Sequence, residues 1–538
     1  MTTKNNYTLY RSDLFRHLDG IVTAPVAYEL YTKGITTQLL QEKTCRLSEL
    51  TSAYHANEGY LNVALRILCS QGWLTQSIDG DGSDVTYNIT SSSEIAFRLF
   101  PLYEDVVNLQ KFSAKFHDRK FEKEPFQMLK NIFNAFQNNY GLTIADDEHI
   151  ATIQHQVLKH IEGIILGPTL VHLAMGGMFH KYFMQASFKP EEFHKDGSNF
   201  KDLLDILCYF ELFTSHHGTY QFTEKGLFYA KRASAYGVTV SYIPTLRTLD
   251  ELLFGNPKAA KEAGDGHKEG HVDRAMNVWG SGGAHASYFK VVDEIIIHLF
   301  NKPIEEQPKG ILDMGCGNGA FLIHLFNVIE KQTLRGRMLD EHPLILVGAD
   351  YNEAALNITK GNLVQAEIWA KVVWGDIGDP DRLAKDLQDE YGVSLSELLN
   401  VRSFLDHNRI WKTPTSRTSL RVSDSTGAYA YEGERIPNHL VEDSLLEHFE
   451  RWAPYVATFG LLVIELHTVP PEIASQHIGK TAVTAYDATH GFSDQYILEV
   501  PVFHKILGEA GLFPDQRLGQ KFPNSELASV TVNLFRKE

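Results

Sequence analysis

Short apolar runs that close on an acidic residue, each followed by a stretch of helical spacing, recur through the second half of the chain. Gly310-Ile311-Leu312-Asp313 runs into the turn Met314-Gly315-Cys316-Gly317-Asn318-Gly319. Ala320-Phe321-Leu322-Ile323-His324-Leu325-Phe326 then reads as a helix. Leu344-Ile345-Leu346-Val347-Gly348-Ala349-Asp350 and Lys371-Val372-Val373-Trp374-Gly375-Asp376-Ile377 repeat the pattern. Leu398-Leu399-Asn400-Val401 and Gly460-Leu461-Leu462-Val463-Ile464-Glu465 give a fourth and a fifth strand. Apolar runs this short, bounded by turn residues and alternating with helices, predict buried strands of an α/β, Rossmann-like core.

The first half has a different rhythm. Leu47-Ser48-Glu49-Leu50 and Tyr60-Leu61-Asn62-Val63-Ala64-Leu65-Arg66-Ile67-Leu68 predict two short helices. A strand at Val85-Thr86-Tyr87-Asn88-Ile89-Thr90 follows a turn at Asp79-Gly80-Asp81-Gly82, the arrangement of a winged helix. A weaker second copy has its helix at Leu203-Leu204-Asp205-Ile206-Leu207-Cys208 and its wing from Leu212 to Gly226. Such modules either bind DNA or pack against other protein. Neither helix has the Lys/Arg density that phosphate contacts need, which favours packing. The helical stretch between the copies, around Phe126–Phe133 and Ile165–Leu173, is read as lid or dimer helices, with a substrate wall as the alternative. The expected layout is a winged-helix-like module at 1–95, a helical lid or dimerisation region with the second module at 96–255, and a catalytic core at 271–538. A loop rich in Gly, Lys and Ala at 255–270 links the halves. Trp279-Gly280-Ser281-Gly282-Gly283-Ala284-His285 reads as a linker or a flap.

Composition sets limits on function. The 538 residues are 43% hydrophobic and 22% charged, an ordinary globular balance. No apolar run approaches the ~20 residues of a bilayer span, and the first residues lack the apolar segment of a secretory signal. The four cysteines, Cys45, Cys69, Cys208 and Cys316, have neither disulfide-framework nor zinc spacing. The expected setting is therefore the cytoplasm, with no membrane partner. A net charge of −17 argues against nucleic acid as the main partner.

The glycine turn points to a nucleotide-like cofactor. Its glycines let the backbone turn sharply and lie flat on a ligand. It is neither the dinucleotide fingerprint nor a phosphate loop. An acid ending the second strand, Asp350, is placed to grip a ribose diol. His407, in Ser403-Phe404-Leu405-Asp406-His407-Asn408-Arg409, falls at the end of strand four, where a general base belongs. Glu465, late on strand five, would fix its tautomer. His467 and the polar loop Asp487-Ala488-Thr489-His490-Gly491-Phe492-Ser493-Asp494-Gln495 add a further set. There His467, His490 and Gln495 either are ordinary loop groups or form a facial set on one metal. The segment 410–439 either covers the site or is a surface loop.

The turn at 313–319 resembles motif I of class I S-adenosylmethionine (SAM) methyltransferases. The first module resembles the N-terminal module of small-molecule O-methyltransferases. The stretches Asn277–His285 and Ser403–Arg409 are similar to the C-methyltransferases of cyanobacterial polyketide assembly lines, of the apratoxin and saxitoxin type. This resemblance implies SAM held by Asp313, Gly315, Gly317, Asp350, Asp376 and Ile377, with Asp376 on the adenine amino group and Ile377 on its ring. It implies a His407–Glu465 dyad that removes a proton from the carbon between two carbonyls. It raises the expectation of one mononuclear iron or manganese at His467, His490 and Gln495. The implied reaction is C-methylation of a malonyl- or β-ketoacyl-type thioester. Its acyl carrier protein must come from another chain, because this one has no carrier segment. A homodimer is a candidate assembly. The competing readings are a small-molecule O-methyltransferase and a SAM-binding winged-helix regulator.

Overall fold

The computed structural model describes residues 3–80, 82–112, 121–258, 270–282, 285–415 and 421–537. The first module is a three-stranded sheet of β1 (Thr44–Arg46), β2 (Leu74–Ile78) and β3 (Val85–Ile89), with the helices Leu47–Tyr54 and Glu58–Ser70. The second module has a Gly197–Tyr209 helix and a hairpin of β4 (Phe213–His216) and β5 (Thr219–Phe222). Of the turn expected at 79–82, Asp81 lies outside the described residues.

The catalytic half is built on seven strands. β6 (Gly310–Met314), β7 (Ile345–Asp350), β8 (Lys371–Trp374), β9 (Leu398–Ser403) and β12 (Leu461–Leu466) are parallel. β13 (Leu512–Phe522) and β14 (Val530–Lys537) close one edge antiparallel, giving the order β13-β14-β12-β9-β6-β7-β8. Chain order reverses at β6, between β9 and β7, and a crevice at such a switch point takes the ligand. Alternation along β6 explains why both faces are covered. Leu312 and Met314 pack with Phe449, Trp452 and Phe503, while Ile311 packs with Val292, Ile296 and Leu325 on the other face. Gly310 is forced by close pairing, because a Cβ there would stand 1.8 Å from the Ile345 carbonyl oxygen.

A hairpin of β10 (Ala430–Tyr431) and β11 (Glu434–Arg435) lies in the 410–439 segment. It packs on the first module: the Gly59 N–H donates to the Gly433 carbonyl at 2.8 Å, and Arg435 donates to the carbonyls of Gly82 and Ser83. Residues 416–420 of that segment lie outside the described residues.

Three local expectations change. The loop expected at 487–495 is largely a buried helix, Val483–Gly491. Its polar residues make tertiary bonds rather than facing water. Trp279 to Gly282 end an Arg274–Gly282 helix that crosses the Ser234–Ser241 helix, where a Cβ on Gly280 would stand 2.5 Å from the Val238 nitrogen. The glycine therefore serves a tight helix crossing. Gly283 and Ala284 lie outside the described residues, as do 259–269 of the preceding loop. Finally, Glu148–Met175 is a helix long and apolar enough to cross a bilayer, but 83% of its most apolar window is buried inside the protein.

Candidate active site

The turn after β6 is shaped for a ligand. Gly315, Gly317 and Gly319 all have positive φ, at 79°, 56° and 78°, a region that glycine enters without penalty. Their surroundings differ. A Cβ on Gly315 would meet Leu405 at 2.9 Å and one on Gly319 would meet Thr359 at 3.0 Å, whereas one on Gly317 would enter open space, with its nearest atom 4.0 Å away. The Gly317 N–H donates to Asp350 Oδ2 at 3.0 Å, and the Asn352 N–H donates to Oδ1 at 2.8 Å. Asp350 thus stands at the mouth of the turn. Asp313, 1% exposed, has its Oδ2 without a partner, and burial, with Asp350 nearby, raises its carboxyl to about 7. A buried acid kept from ionising in this way gains from a cationic ligand. Asp376 accepts from the Gly378 N–H at 2.7 Å, and the buried Ile377 is fixed by Trp452 Nε1–H donating to its carbonyl at 2.7 Å. Open space beside Gly317, three acids in line and an apolar residue after the last suit a cationic nucleoside such as SAM.

His407 and Glu465 meet as expected. His407 Nδ1 lies 2.5 Å from Glu465 Oε1, and the His407 backbone N–H lies 3.3 Å from Oε2. The Leu466 N–H also donates to Oε1 at 2.7 Å. A carboxylate only accepts, so the ring proton sits on Nδ1 and the Nε2 lone pair is left for chemistry. Both residues are buried. The turn that delivers His407 passes through Phe404 at φ 55°, a left-handed conformation that costs a bulky residue ~1–3 kcal/mol. The Phe404 N–H donating to the Ile464 carbonyl at 2.8 Å offsets part of this.

Beside the dyad lies a buried ionic group that sequence reading did not single out. Arg402 Nη1 donates to Asp406 Oδ1 at 2.5 Å, His448 Nε2 lies 2.8 Å from the same oxygen, and Arg402 sits 4.1 Å over the Trp452 ring. Against the cost of burial, Arg402 and His448 hold the Asp406 carboxyl below its usual range. Arg409 donates to the Asp406 and Val441 carbonyls. These bonds brace the Leu405–Asn408 turn on either side of His407. An arginine inside an otherwise apolar strand was the available signal.

The three residues expected to hold a metal bond other protein groups. His467 is fully buried with both ring nitrogens committed: Nδ1 lies 3.0 Å from the Leu498 carbonyl and Nε2 lies 2.8 Å from Thr531 Oγ1. A neutral imidazole has one donor and one acceptor, so no lone pair remains for an ion. His490 Nδ1 bonds the Tyr486 carbonyl at 2.9 Å, and Gln495 donates to the Tyr242 hydroxyl at 3.2 Å. Among the described residues, no group of three or more His, Cys, Asp or Glu side chains is placed to hold a metal. His490 instead stands beside the base, its ring centroid 5.3 Å from that of His407. Burial first, then the neighbouring His407 ring, lowers it to about 3, so it is neutral near pH 7.

The first module also reaches the site. Its Glu58–Ser70 helix, which would be the recognition helix of a DNA binder, is buried from Gly59 to Ser70. It packs along the Val483–Gly491 helix, so it offers no free DNA-reading face.

Comparison with known protein families agrees with this architecture. Residues 269–533 match the AprA MT2-like domain, residues 10–76 the AprA N-terminal domain and residues 162–256 the AprA winged helix domain. Among curated proteins no significant relative is found. Similar solved structures include the mitomycin 7-O-methyltransferase MmcR, at 10% identity and TM-score 0.41 over 72% of this chain and 98% of that one. CalO1, a methyltransferase of calicheamicin biosynthesis, matches at 15% identity and TM-score 0.41 over 73% and 100%. The CurJ carbon methyltransferase matches at 12% identity and TM-score 0.31 over 81% and 100%.

Proposed function

We propose that the chain, a SAM-dependent methyltransferase whose regions match the AprA MT2-like, N-terminal and winged helix domains, methylates the α-carbon of a malonyl- or β-ketoacyl-type thioester presented by a separate acyl carrier protein, in polyketide-type natural-product biosynthesis. The observation that carries this reading is the buried His407–Glu465 pair at the carboxyl end of the sheet. A carbon between two carbonyls loses its proton only to a well-placed base. Glu465 holds Nδ1–H, which presents Nε2 as that base and stabilises the imidazolium formed when it takes the proton. Burial keeps water from competing for that proton and strengthens the charge interaction.

Asp350 and Asp376 would hold the ribose and the adenine amino group, Ile377 would pack on the adenine ring, and Asp313 would face the positive end of the cofactor. When bound, SAM supplies the methyl group that the carbanion accepts. The role of Gly315 and Gly317 is to let the backbone lie against the cofactor, and Phe404 and Leu405 set the distance from there to His407. Holding the two reactants in a fixed orientation would remove much of the entropic cost of their encounter.

The test is mass spectrometry of malonyl- and β-ketoacyl-loaded carrier protein after incubation with enzyme and SAM. The acyl group should gain the mass of one CH₂, a methyl group having replaced the α-hydrogen, bound to carbon and stable to base. Transfer confined to the hydroxyl of a small phenol or alcohol, with none to any acyl carrier, would overturn the reading.

A further inference from the structure

Arg66 lies in the first module, far in sequence from the catalytic residues, and is 1% exposed. Its guanidinium has five N–H donors, and every one has a place to go. Nε donates to Asp487 Oδ2 at 2.9 Å. Nη2 donates to Thr468 Oγ1 at 3.1 Å and to the Val469 carbonyl at 2.9 Å. Nη1 donates to the carbonyl and hydroxyl oxygens of Thr426. Asp487 closes the ring by accepting from Thr468 Oγ1 at 2.6 Å.

These partners are not arbitrary pieces of the catalytic half. Asp487 is three residues before His490 on the same helix, and the His490 ring faces His407. Thr468 is three residues after Glu465, on the chain leaving β12. Thr426 belongs to the 410–439 segment, whose β10–β11 hairpin packs on the first module. One buried cation therefore ties the chain leaving Glu465, the helix that carries His490 and the 410–439 segment. The helix that carries it is seamed to the His490 helix along its length. Tyr60 Oη donates to Asp494 at 2.7 Å, a Cβ on Gly491 would meet Val63 at 2.8 Å, and Gln71 donates to Thr484 Oγ1 at 3.3 Å.

We infer that Arg66 is a positioning residue for methyl transfer: through Asp487 and Thr468 it sets the distance between His490 and the His407–Glu465 dyad, so that the first module is a working part of the catalytic centre. The inference rests on His407 acting as the base. Glu499 reinforces the same junction, accepting from the Ser425 hydroxyl at 2.8 Å and from the Thr426 N–H at 2.8 Å. No other side chain here could replace five donors in one plane. Lysine offers three, from a tetrahedral head.

The experiment compares Arg66→Lys, Asp487→Asn and the double variant with the wild-type enzyme. It reads kcat and KM with malonyl-loaded carrier protein, SAM affinity by calorimetry, and amide hydrogen exchange. Both single variants should lose about 10- to 100-fold in kcat, the scale of a catalytic group misplaced by ~1 Å. SAM affinity should stay within about twofold, because the 313–377 binding elements are on the far side of the sheet's switch point. The double variant should be no worse than the poorer single one. Exchange should quicken at 483–491 and 421–439 and stay unchanged at 313–319. A purely structural role would lower the melting temperature and leave kcat of the folded enzyme at the wild-type value, and that result in either single variant would overturn the inference. Asp487→Asn, isosteric with the native side chain, supplies the answer if Arg66→Lys does not fold. If the wild-type enzyme transfers no methyl group to the carrier, the functional reading falls by itself. Exchange then decides the seam: unchanged protection at 483–491 in the variants would overturn it, and selective loss would uphold it.

Discussion

Gly317 would meet nothing within hydrogen-bonding reach if it carried a side chain, whereas His407 is enclosed by Glu465, His490 and the braced turn that carries it. The cofactor side is local. The residues proposed for it come from the ends of three consecutive parallel strands, β6, β7 and β8, and each strand end offers one carboxylate. The substrate side is assembled from segments far apart in the chain: the turn after β9, the end of β12, the Val483–Gly491 helix and, behind them, the first module. A local site can be read from a run of residues. An assembled one is set by packing, and packing distributes its determinants.

The contrast yields separable effects. The largest is expected on the assembled side. His407→Ala should cut turnover by ~10²–10⁴, the usual cost of losing a general base, with SAM affinity almost intact by calorimetry. Full activity in that variant would move the base elsewhere. Next is the local side. Gly317→Val fills the space in which the cofactor would lie, in a backbone region that a β-branched residue avoids. SAM binding should fall below detection while circular dichroism stays native, and normal affinity in the folded variant would remove the turn from the site. Glu465→Gln should be milder, reducing kcat about 10- to 100-fold, because the imidazole keeps its place and loses the charge that stabilises its protonated form. An equal loss of SAM affinity would show that the two sides are not separable.

The smallest effect concerns pH. Four fully buried histidines are lowered in the folded protein chiefly by burial: His160, His467 and His490 to about 3 and His448 to about 4. Each folded value lies below the unfolded one near 6.5. Their contribution is complete above that pH and is lost as pH falls, with a slope of up to about 1.4 kcal/mol per unit for each. Asp313 and Asp19, raised to about 7 mainly by burial, act oppositely between their ordinary range near 4 and 7, where the unfolded chain holds fewer protons. His504, lowered to about 4, acts with these histidines, and Glu29, Glu58, Glu442 and Asp487, raised by burial but less than Asp313 and Asp19, act with the two aspartates. The larger histidine shifts leave a net fall in melting temperature on acidification from pH 6.5 to 4.5. A melting temperature that rises over that interval would contradict these burials.

How far the sequence could be read follows the same division. The glycine turn, Asp350 and Asp376 stand where their strands end. His407 and Glu465 could be paired because adjacent parallel strands bring their carboxyl ends together. His467 was misjudged because spacing cannot say which way a side chain faces after a strand. It turns toward Leu498 and Thr531, where both nitrogens are used. The helix at 483–491 looked like a loop because its polar residues, Asp487 and His490, are buried with partners that arrive from elsewhere. Arg66 carried no local sign at all. It sits in an apolar helical run, where a lone arginine reads as a solvent-facing position, and only the docking of two distant helices gives it a role.

The dyad's chemistry can be tested without the transfer step. Wild-type enzyme, incubated in D₂O with a β-ketoacyl-loaded carrier protein and without SAM, should accelerate exchange of the α-proton above the uncatalysed rate, and His407→Ala should return it to that rate. Exchange that His407→Ala leaves unchanged, or no acceleration by an enzyme that still methylates an acceptor, would contradict proton removal by this pair.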